Sequence, residues 1–404
     1  MKTIICLMCG MLSAAGGFAE SGHALTLEQA LSLARTHSPA LRAADLEVNA
    51  ARTAVGAAGL WENPLLGLEA EGIGGDLDLY QDAEYTIGIK QQFQLGGKRQ
   101  MERVAAEQSV NAFMASTAES MLQLETGVRH AFMELLAQQE ISRVRDEQME
   151  LARAFVEVAR RRLEAGAGSE LEKVQADLAL EETTLAQTCC FGDVAAAKAE
   201  LASLLGVPAG ELPQVEGPYY EVESYADLAV KGGHPILRRL DVEAERVLAD
   251  AERARAQDVA DITLGVGYKH EAIDDISTFV LSASMPLSFN RRGRAEHAAG
   301  LIRTDAVRAT REEARRRLQQ KLDTLRERHK GAVMEVMLTR DNLMPKAEQA
   351  YSLSREGYEA GRFSWLELIS AQQHLAEVRI RYIESLLTMH RIEAELEQFR
   401  KETP

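Results

Sequence analysis

The sequence predicts a mainly α fold with a small β part, and three observations predict it. The vocabulary is helical: Ala, Leu, Glu, Arg and Gln dominate, and only nine prolines interrupt 404 residues, a bias that favours long helices. Four short stretches instead alternate apolar and polar residues with period two, as strands do. Finally, one series of markers is written twice along the chain, the mark of a duplicated unit.

Composition narrows the function classes. The chain carries 62 Asp and Glu against 46 Lys and Arg, a net charge of −16, which argues against nucleic-acid binding because phosphate contacts need a basic surface. An apolar content of 46% argues against disorder. At the start, Lys2, the apolar run Ile4 to Ala15 and the small residues Gly17 to Ala19 read as a secretory signal over residues 1–19, with a second cleavage option at Ala24. Removing it takes away Cys6 and Cys9 and leaves Cys189 and Cys190. Neither early cysteine follows the small residue that a lipoprotein signal uses. No other apolar run approaches the roughly 20 residues of a spanning helix. The exported chain is therefore periplasmic, secreted or a membrane β-barrel.

The duplication sets the organisation. His37-Ser38-Pro39-Ala40-Leu41 is answered by Gly233-His234-Pro235-Ile236-Leu237, and Leu66-Gly67-Leu68 by Leu264-Gly265-Val266. Gly96-Gly97-Lys98-Arg99 pairs with Asn290 to Arg294, and Glu164 to Glu172 with Glu359 to Glu367. The pairs stand about 195 residues apart in the same order. A first repeat over 25–205 and a second over 238–400 follow, joined by a linker at 206–237 whose Pro-rich part is Gly206 to Pro218.

Within each repeat a short helix comes first, at about 42–60 and 238–258. Strands are expected at about 62–73, 84–93, 262–270 and 278–287. Ile262, Leu264, Val266 and Tyr268 alternate with Thr263, Gly265, Gly267 and Lys269, which suits tilted membrane strands with apolar residues outward. The loops Gly74 to Ala83 and Glu271 to Ser277 are acidic and fit an exposed face. Four strands cannot close a barrel, for which about eight is the lower limit. Such strands must share a barrel with other copies of the chain. Long helices follow at about 98–165 and 294–360, returning at 170–205 and 365–397. Apolar spacings of three and four at Val128, Phe132, Leu135 and at Leu151, Phe155, Val158 read as coiled-coil seams. The first long helix would reach on the order of 100 Å. Pro345 predicts a kink in its counterpart.

The segment Pro345-Lys346-Ala347-Glu348-Gln349-Ala350, continuing through Glu356-Gly357-Tyr358-Glu359-Ala360-Gly361 to Ser370-Ala371-Gln372, resembles the outer-membrane efflux (TolC-like) family. Trp61-Glu62-Asn63-Pro64 and Leu95-Gly96-Gly97-Lys98-Arg99 are similar to its heavy-metal (cobalt–zinc–cadmium) branch. The resemblance spans essentially the whole mature chain. It implies a homotrimer in which each chain gives four strands to a twelve-stranded barrel in outer-membrane lipid. Helical hairpins would form a periplasmic tunnel below. It also implies a periplasmic adaptor (a membrane fusion protein) and an inner-membrane pump of the resistance–nodulation–division (RND) type in a Gram-negative bacterium. Heavy-metal cations are the expected cargo, with drug efflux and type I protein secretion as alternatives on the same duct. An exported coiled-coil scaffold without a channel is the alternative of another class, and alternating strands of membrane length argue against it.

No catalytic, cofactor or metal site is expected. The chain has no phosphate loop ending Gly-Lys-Ser/Thr, no His-Glu-x-x-His and no Gly-x-Ser-x-Gly. Cys189-Cys190 reads either as a soft-metal pair or as two small apolar residues on a helix. The turns Gly166 to Leu171 and Gly361 to Leu366 are the candidate sites. Glycine permits the left-handed backbone that ends a helix, and Ser169 or Ser364 can cap the next. The resemblance adds adaptor docking at Gly166, Ser169, Leu171, Gly361, Ser364 and Leu366. It also associates Tyr358 and Glu367 with a periplasmic gate. Helix termination alone, and a solvated Glu367, are the plainer readings.

Overall fold

A computed structural model describes residues 24–72, 84–221, 228–271, 275–287 and 290–400. The expected signal (1–19), the whole of the first acidic loop, Gly74 to Ala83, and residues 272–274 of the second lie outside the described residues. The elements run α1 (Leu27–His37), α2 (Pro39–Ala57), β1 (Leu65–Glu71), β2 (Glu84–Phe93), α3 (Lys98–Glu164) and α4 (Glu170–Leu205). After a short 3₁₀ turn come α5 (Pro235–Ala256), β3 (Ile262–Glu271), β4 (Ile276–Ser284) and α6 (Arg292–Leu338). A π turn (Thr339–Leu343) joins α6 to α7 (Met344–Glu359), and α8 (Trp365–Arg400) returns. Among the described residues no helix is long and apolar enough to cross a membrane.

The chain divides into two compact units. One comprises 40–120 and 230–320 and holds the strands. They form one antiparallel sheet in the order β1-β2-β3-β4, so the two repeats meet at the β2–β3 pair. Its register aligns Leu66, Ile89, Val266 and Leu281 in one row and Leu68, Ile87, Tyr268 and Phe279 in another. All eight side chains are exposed. The opposite face carries Lys90 bound to Glu69 at 2.8 Å and Lys269 bound to Glu84 at 2.5 Å. Between these charges Gly67, Gly88 and Gly267 lie side by side. A Cβ at Gly88 would come 3.1 Å from the Val266 carbonyl oxygen, tighter than packed atoms tolerate without movement.

Below the strands, carboxylates secure the helix starts. Asp261 takes the Lys98 ammonium at 2.8 Å and the Leu95 amide at 3.0 Å. Asp258 accepts from the Gly293 and Arg294 amides at the first turn of α6, at 2.7 and 2.9 Å, satisfying donors that a helix leaves unpaired. Gly293 and Gly300 let α6 approach α5 closely, since a Cβ on either would overlap the Ala254 carbonyl or Ala251.

The second unit comprises residues up to 39, 121–229 and 321–401 and is helical. Val128, Phe132 and Leu135 of α3 are buried against Leu201 and Leu205 of α4, Val336 of α6 and Leu386 and Met389 of α8. The second expected seam is corrected in part: Phe155 packs against the buried cluster around Trp365, but its two partners do not. Leu151 and Val158 are exposed, while Ala152 and Ala159 are buried. Spacing seven is kept, but it falls on the adjacent small residues, which let helix backbones pack closer than leucines allow. The Pro-rich joining segment is not a loose spacer: Leu212, Val215 and Tyr219 are buried in the same core. Leu25 bridges Val215, donating to the Gln214 carbonyl at 2.7 Å and accepting from the Glu216 amide at 3.0 Å.

Helix α1 was not expected from the sequence, although its signature is there. Thr26 and Gln29 form a reciprocal capping box, the Thr-x-x-Gln pattern that starts a helix. The break expected at Pro345 takes the form of the π turn just ahead of it, where the Met344 amide bonds back to the Thr339 carbonyl. Residues 292–359 thus span one residue more than the unbroken α3, and a π turn absorbs one extra residue without breaking the helix.

The Lys98–Asp261 pair supplies a test. Both side chains are largely buried, so Asp261→Asn should cost about 3–5 kcal/mol by stranding the ammonium, read as a lower unfolding midpoint in detergent. Burial pushes the Asp261 carboxyl up, but Lys98, the Leu95 amide and Gln92 hold it below its ordinary value. That stabilisation is present above about pH 4 and should be lost as pH falls through the depressed value.

Candidate functional site: the two hairpin tips

Both tips close in the same way. At the first, Gly166 has φ +67° and its amide bonds to the Leu163 carbonyl at 3.0 Å. The Arg162 carbonyl accepts from Ala167 and Gly168 at 2.9 and 3.0 Å. At the second, Gly361 has φ +70° and bonds to the Tyr358 carbonyl at 2.9 Å, while the Gly357 carbonyl accepts from Arg362 and Phe363 at 2.8 and 3.1 Å. Only glycine adopts that left-handed conformation freely. Ser169 then caps α4 by accepting from the Glu172 amide at 3.1 Å.

The second cap is fuller. Ser364 accepts from the Glu367 amide at 3.4 Å, and the Glu367 carboxylate takes the Ser364 amide at 2.7 Å and its hydroxyl at 2.8 Å. This is a capping box. The Ser364 amide and hydroxyl lower the Glu367 carboxyl below its ordinary value, so Glu367 is an exposed anion tied to the helix end. Leu171 and Leu366 occupy matching places in the first turns of α4 and α8 and are 64% and 60% exposed.

The tips differ by a reciprocal exchange. The first has Arg162 across from Gly168, whose missing side chain leaves room: a Cβ there would lie 3.0 Å from the Arg162 Cβ. The second has Gly357 beneath the Phe363 ring, where a Cβ would come within 2.1 Å. Small faces large at both tips, with the order reversed.

Tyr358 faces the other hairpin. The Arg162 guanidinium carbon lies 5.4 Å from the centre of its ring, within cation–π range. On its other side the Trp365 ring centre lies 5.6 Å away, and Trp365 in turn meets Phe155 edge-on at 5.0 Å. Burial pushes the Tyr358 hydroxyl up. Trp365 is only 3% exposed and centres a cluster with Ala159, Ala176, Leu368 and Ile369, tying α3 and α4 to α8. Sequence reasoning passed over Trp365 and Arg162. One of only two tryptophans in the chain, standing at the first position of the helix that follows the tip, was the available signal.

Cys189 is exposed and Cys190 buried, so the two thiols leave the helix in different directions. Burial pushes the Cys190 thiol up, disfavouring the thiolate that ligates metal. Among the described residues no group of three or more His, Cys, Asp or Glu side chains is arranged to hold a metal ion.

The sequence profile described as "Outer membrane efflux protein" matches residues 30–207 and again 230–399. The chain is 26% identical over 382 residues to the cobalt-zinc-cadmium resistance protein CzcC of Cupriavidus metallidurans, covering 90% of this chain and 87% of that protein. It is 25% identical to the nickel-cobalt-cadmium resistance protein NccC of Alcaligenes xylosoxydans xylosoxydans, covering 78% and 74%. The crystal structure of the outer membrane protein VceC from Vibrio cholerae superposes with a TM-score of 0.72 over 93% of this chain and 95% of that one, at 18% identity.

The tip exchange yields a double-mutant cycle. Gly357→Ala should displace the Phe363 ring and destabilise the protein by about 1–3 kcal/mol. Phe363→Ala in the same chain should recover most of that loss, giving a coupling of about 1 kcal/mol or more in thermal unfolding.

Proposed function

The chain belongs to the outer membrane efflux protein family, and from that premise we propose that it is the outer-membrane duct of a tripartite system exporting heavy-metal cations. One observation carries the reading: the sheet has one face with two continuous rows of exposed apolar side chains, an opposite face with paired charges, and two outer strands, β1 and β4, without further strand partners among the described residues. Lipid and lumen account for the two faces, because a spanning sheet must keep apolar side chains toward hydrocarbon. The open edges call for neighbouring strands, since unpaired backbone groups are too costly in a membrane. Three copies give twelve strands and a closed barrel. An exposed apolar stripe on α4, Leu171, Val174, Leu178 and Leu185, supplies helical contact between copies.

The metal reading is supported by similarity to CzcC over most of both chains. A duct need not chelate its cargo, because the pump selects it. We further assign adaptor docking to the two tips, where Leu171 and Leu366 offer apolar contact beside the turns at Gly166–Ser169 and Gly361–Ser364. The adaptor would deliver cations from an inner-membrane RND pump.

We assign the resting aperture to Tyr358 with its Arg162 contact, and a cation-favouring charge to three Glu367 carboxylates. Glu367→Gln is a clean probe, because glutamine retains the capping box while removing the charge.

Native mass spectrometry of the detergent-extracted protein should give three copies; a stable soluble monomer from the periplasm would overturn the channel reading. Expression with a matched pump and adaptor should restore zinc, cobalt or cadmium resistance. Leu171→Asp or Leu366→Asp should reduce that resistance and adaptor crosslinking together. In planar bilayers Glu367→Gln should lower cation preference and Tyr358→Ala should raise conductance. Parental conduction in both variants would move the aperture elsewhere.

A further inference from the structure

Within the helical unit, His329 of α6 and His390 and Glu393 of α8 are buried together. The Glu393 carboxylate spans both rings: His329 Nε2 lies 3.0 Å from Oε1 and His390 Nδ1 lies 2.8 Å from Oε2. The other nitrogen of His390, Nε2, is 2.7 Å from the backbone carbonyl oxygen of Tyr219. Tyr219 belongs to the segment joining the two repeats, and its hydroxyl donates to the Ile383 carbonyl at 2.7 Å. Its ring centre is 5.3 Å from that of His390.

The proton count follows from these contacts. A carbonyl oxygen only accepts, so His390 Nε2 must carry hydrogen. Its Nδ1 faces a carboxylate oxygen. With Glu393 ionised, Nδ1 must carry hydrogen too and the ring is an imidazolium. With the proton on Glu393 instead, the cluster holds the same number of protons. Removing that one proton leaves a lone pair of His390 facing either the buried carboxylate or the Tyr219 carbonyl oxygen. Such an arrangement is strongly disfavoured.

We propose that His390, Glu393 and His329 form a proton-dependent clasp that holds the inter-repeat segment around Tyr219 onto α8 and releases it when the proton leaves. Other charged groups border the clasp: Arg129 of α3, Glu397 of α8 and Glu221 of the segment itself line an adjoining cavity of about 120 Å³ with His390 and Glu393. Burial pushes the Glu393 carboxyl up, but the hydrogen bonds and charges of His329 and His390 outweigh it and leave it below the ordinary carboxylate value. The carboxylate therefore stays ionised and the histidine holds the proton. The sign follows from the geometry: the clasp is complete while the cluster holds its proton and is lost as rising pH removes it. Burial pushes the hydroxyls of Tyr219 and Tyr220 well up, so neither ionises over the same range.

The test uses the exported protein without its signal segment, which removes Cys6 and Cys9, in detergent with Cys189→Ser and Cys190→Ser. Val215→Cys reports release, because Val215 is buried in the segment, and Glu216→Cys, exposed beside it, corrects for the pH dependence of maleimide labelling. The ratio of the two labelling rates should be flat near pH 6 and then rise about tenfold per pH unit, the slope of one released proton. Glu393→Gln lets a neutral His390 satisfy both neighbours, donating to Tyr219 and accepting from the amide, so the ratio should stay low throughout. If that variant fails to assemble, His390→Gln, which cannot titrate, should likewise remove the slope. A flat ratio in the parent up to about pH 9.5, or the parental slope in either variant, would overturn the clasp.

Discussion

The structure depends on one constraint: every backbone N–H and C=O in hydrocarbon must find a partner inside the protein. The described residues supply four strands as two hairpins, and β1 and β4 end the sheet. Within the described residues the sheet therefore has two open edges, and the proposed assembly would pair them by hydrogen bonding. Among the described residues no helix is long and apolar enough to cross a membrane. Strands meet lipid, which leaves the helices free to carry charge along exposed faces.

The duplication is easiest to see at such edges. The repeats pair through β2 and β3, with Gly88 opposite Gly267 and Ile87 opposite Tyr268. Each half presents half of one surface, and the shared register keeps charged and apolar rows on separate faces. A slip of one residue would exchange the faces, and the close approach at the glycine row favours this register.

Away from the sheet the halves have diverged by compensated steps. The tips keep the same turn hydrogen bonds but reverse the positions of glycine and bulk, Arg162 with Gly168 against Gly357 with Phe363. The first tip becomes polar and the second aromatic. The helix bearing the second tip gains one residue and accommodates it in a π turn, so the tips correspond although the helices differ in length. Small residues along the α3 seam bring the helices close, and Trp365 fills the remaining gap near the tips.

The sequence by itself determined what rests on local periodicity. The alternation of Ile262 to Lys269, the proline-free run from Lys98 and the glycines at 166 and 361 each dictate strand, helix or turn from neighbouring residues. Repetition of those signals made the duplication legible, and the two tips with it. Tertiary structure alone decided what depends on contacts distant in sequence. Leu151 and Val158 have the spacing of a seam yet face outward, because rotation about the helix axis is set by the packing partner and not by the spacing. Tyr219 lies in a stretch whose composition reads as a linker, but a core 164 residues further on accepts its hydroxyl. The pairing of His390 with Glu393 was visible as a spacing of three on one helix. The carbonyl and the second histidine that make its protonation matter came from other elements, and only folding brought them together.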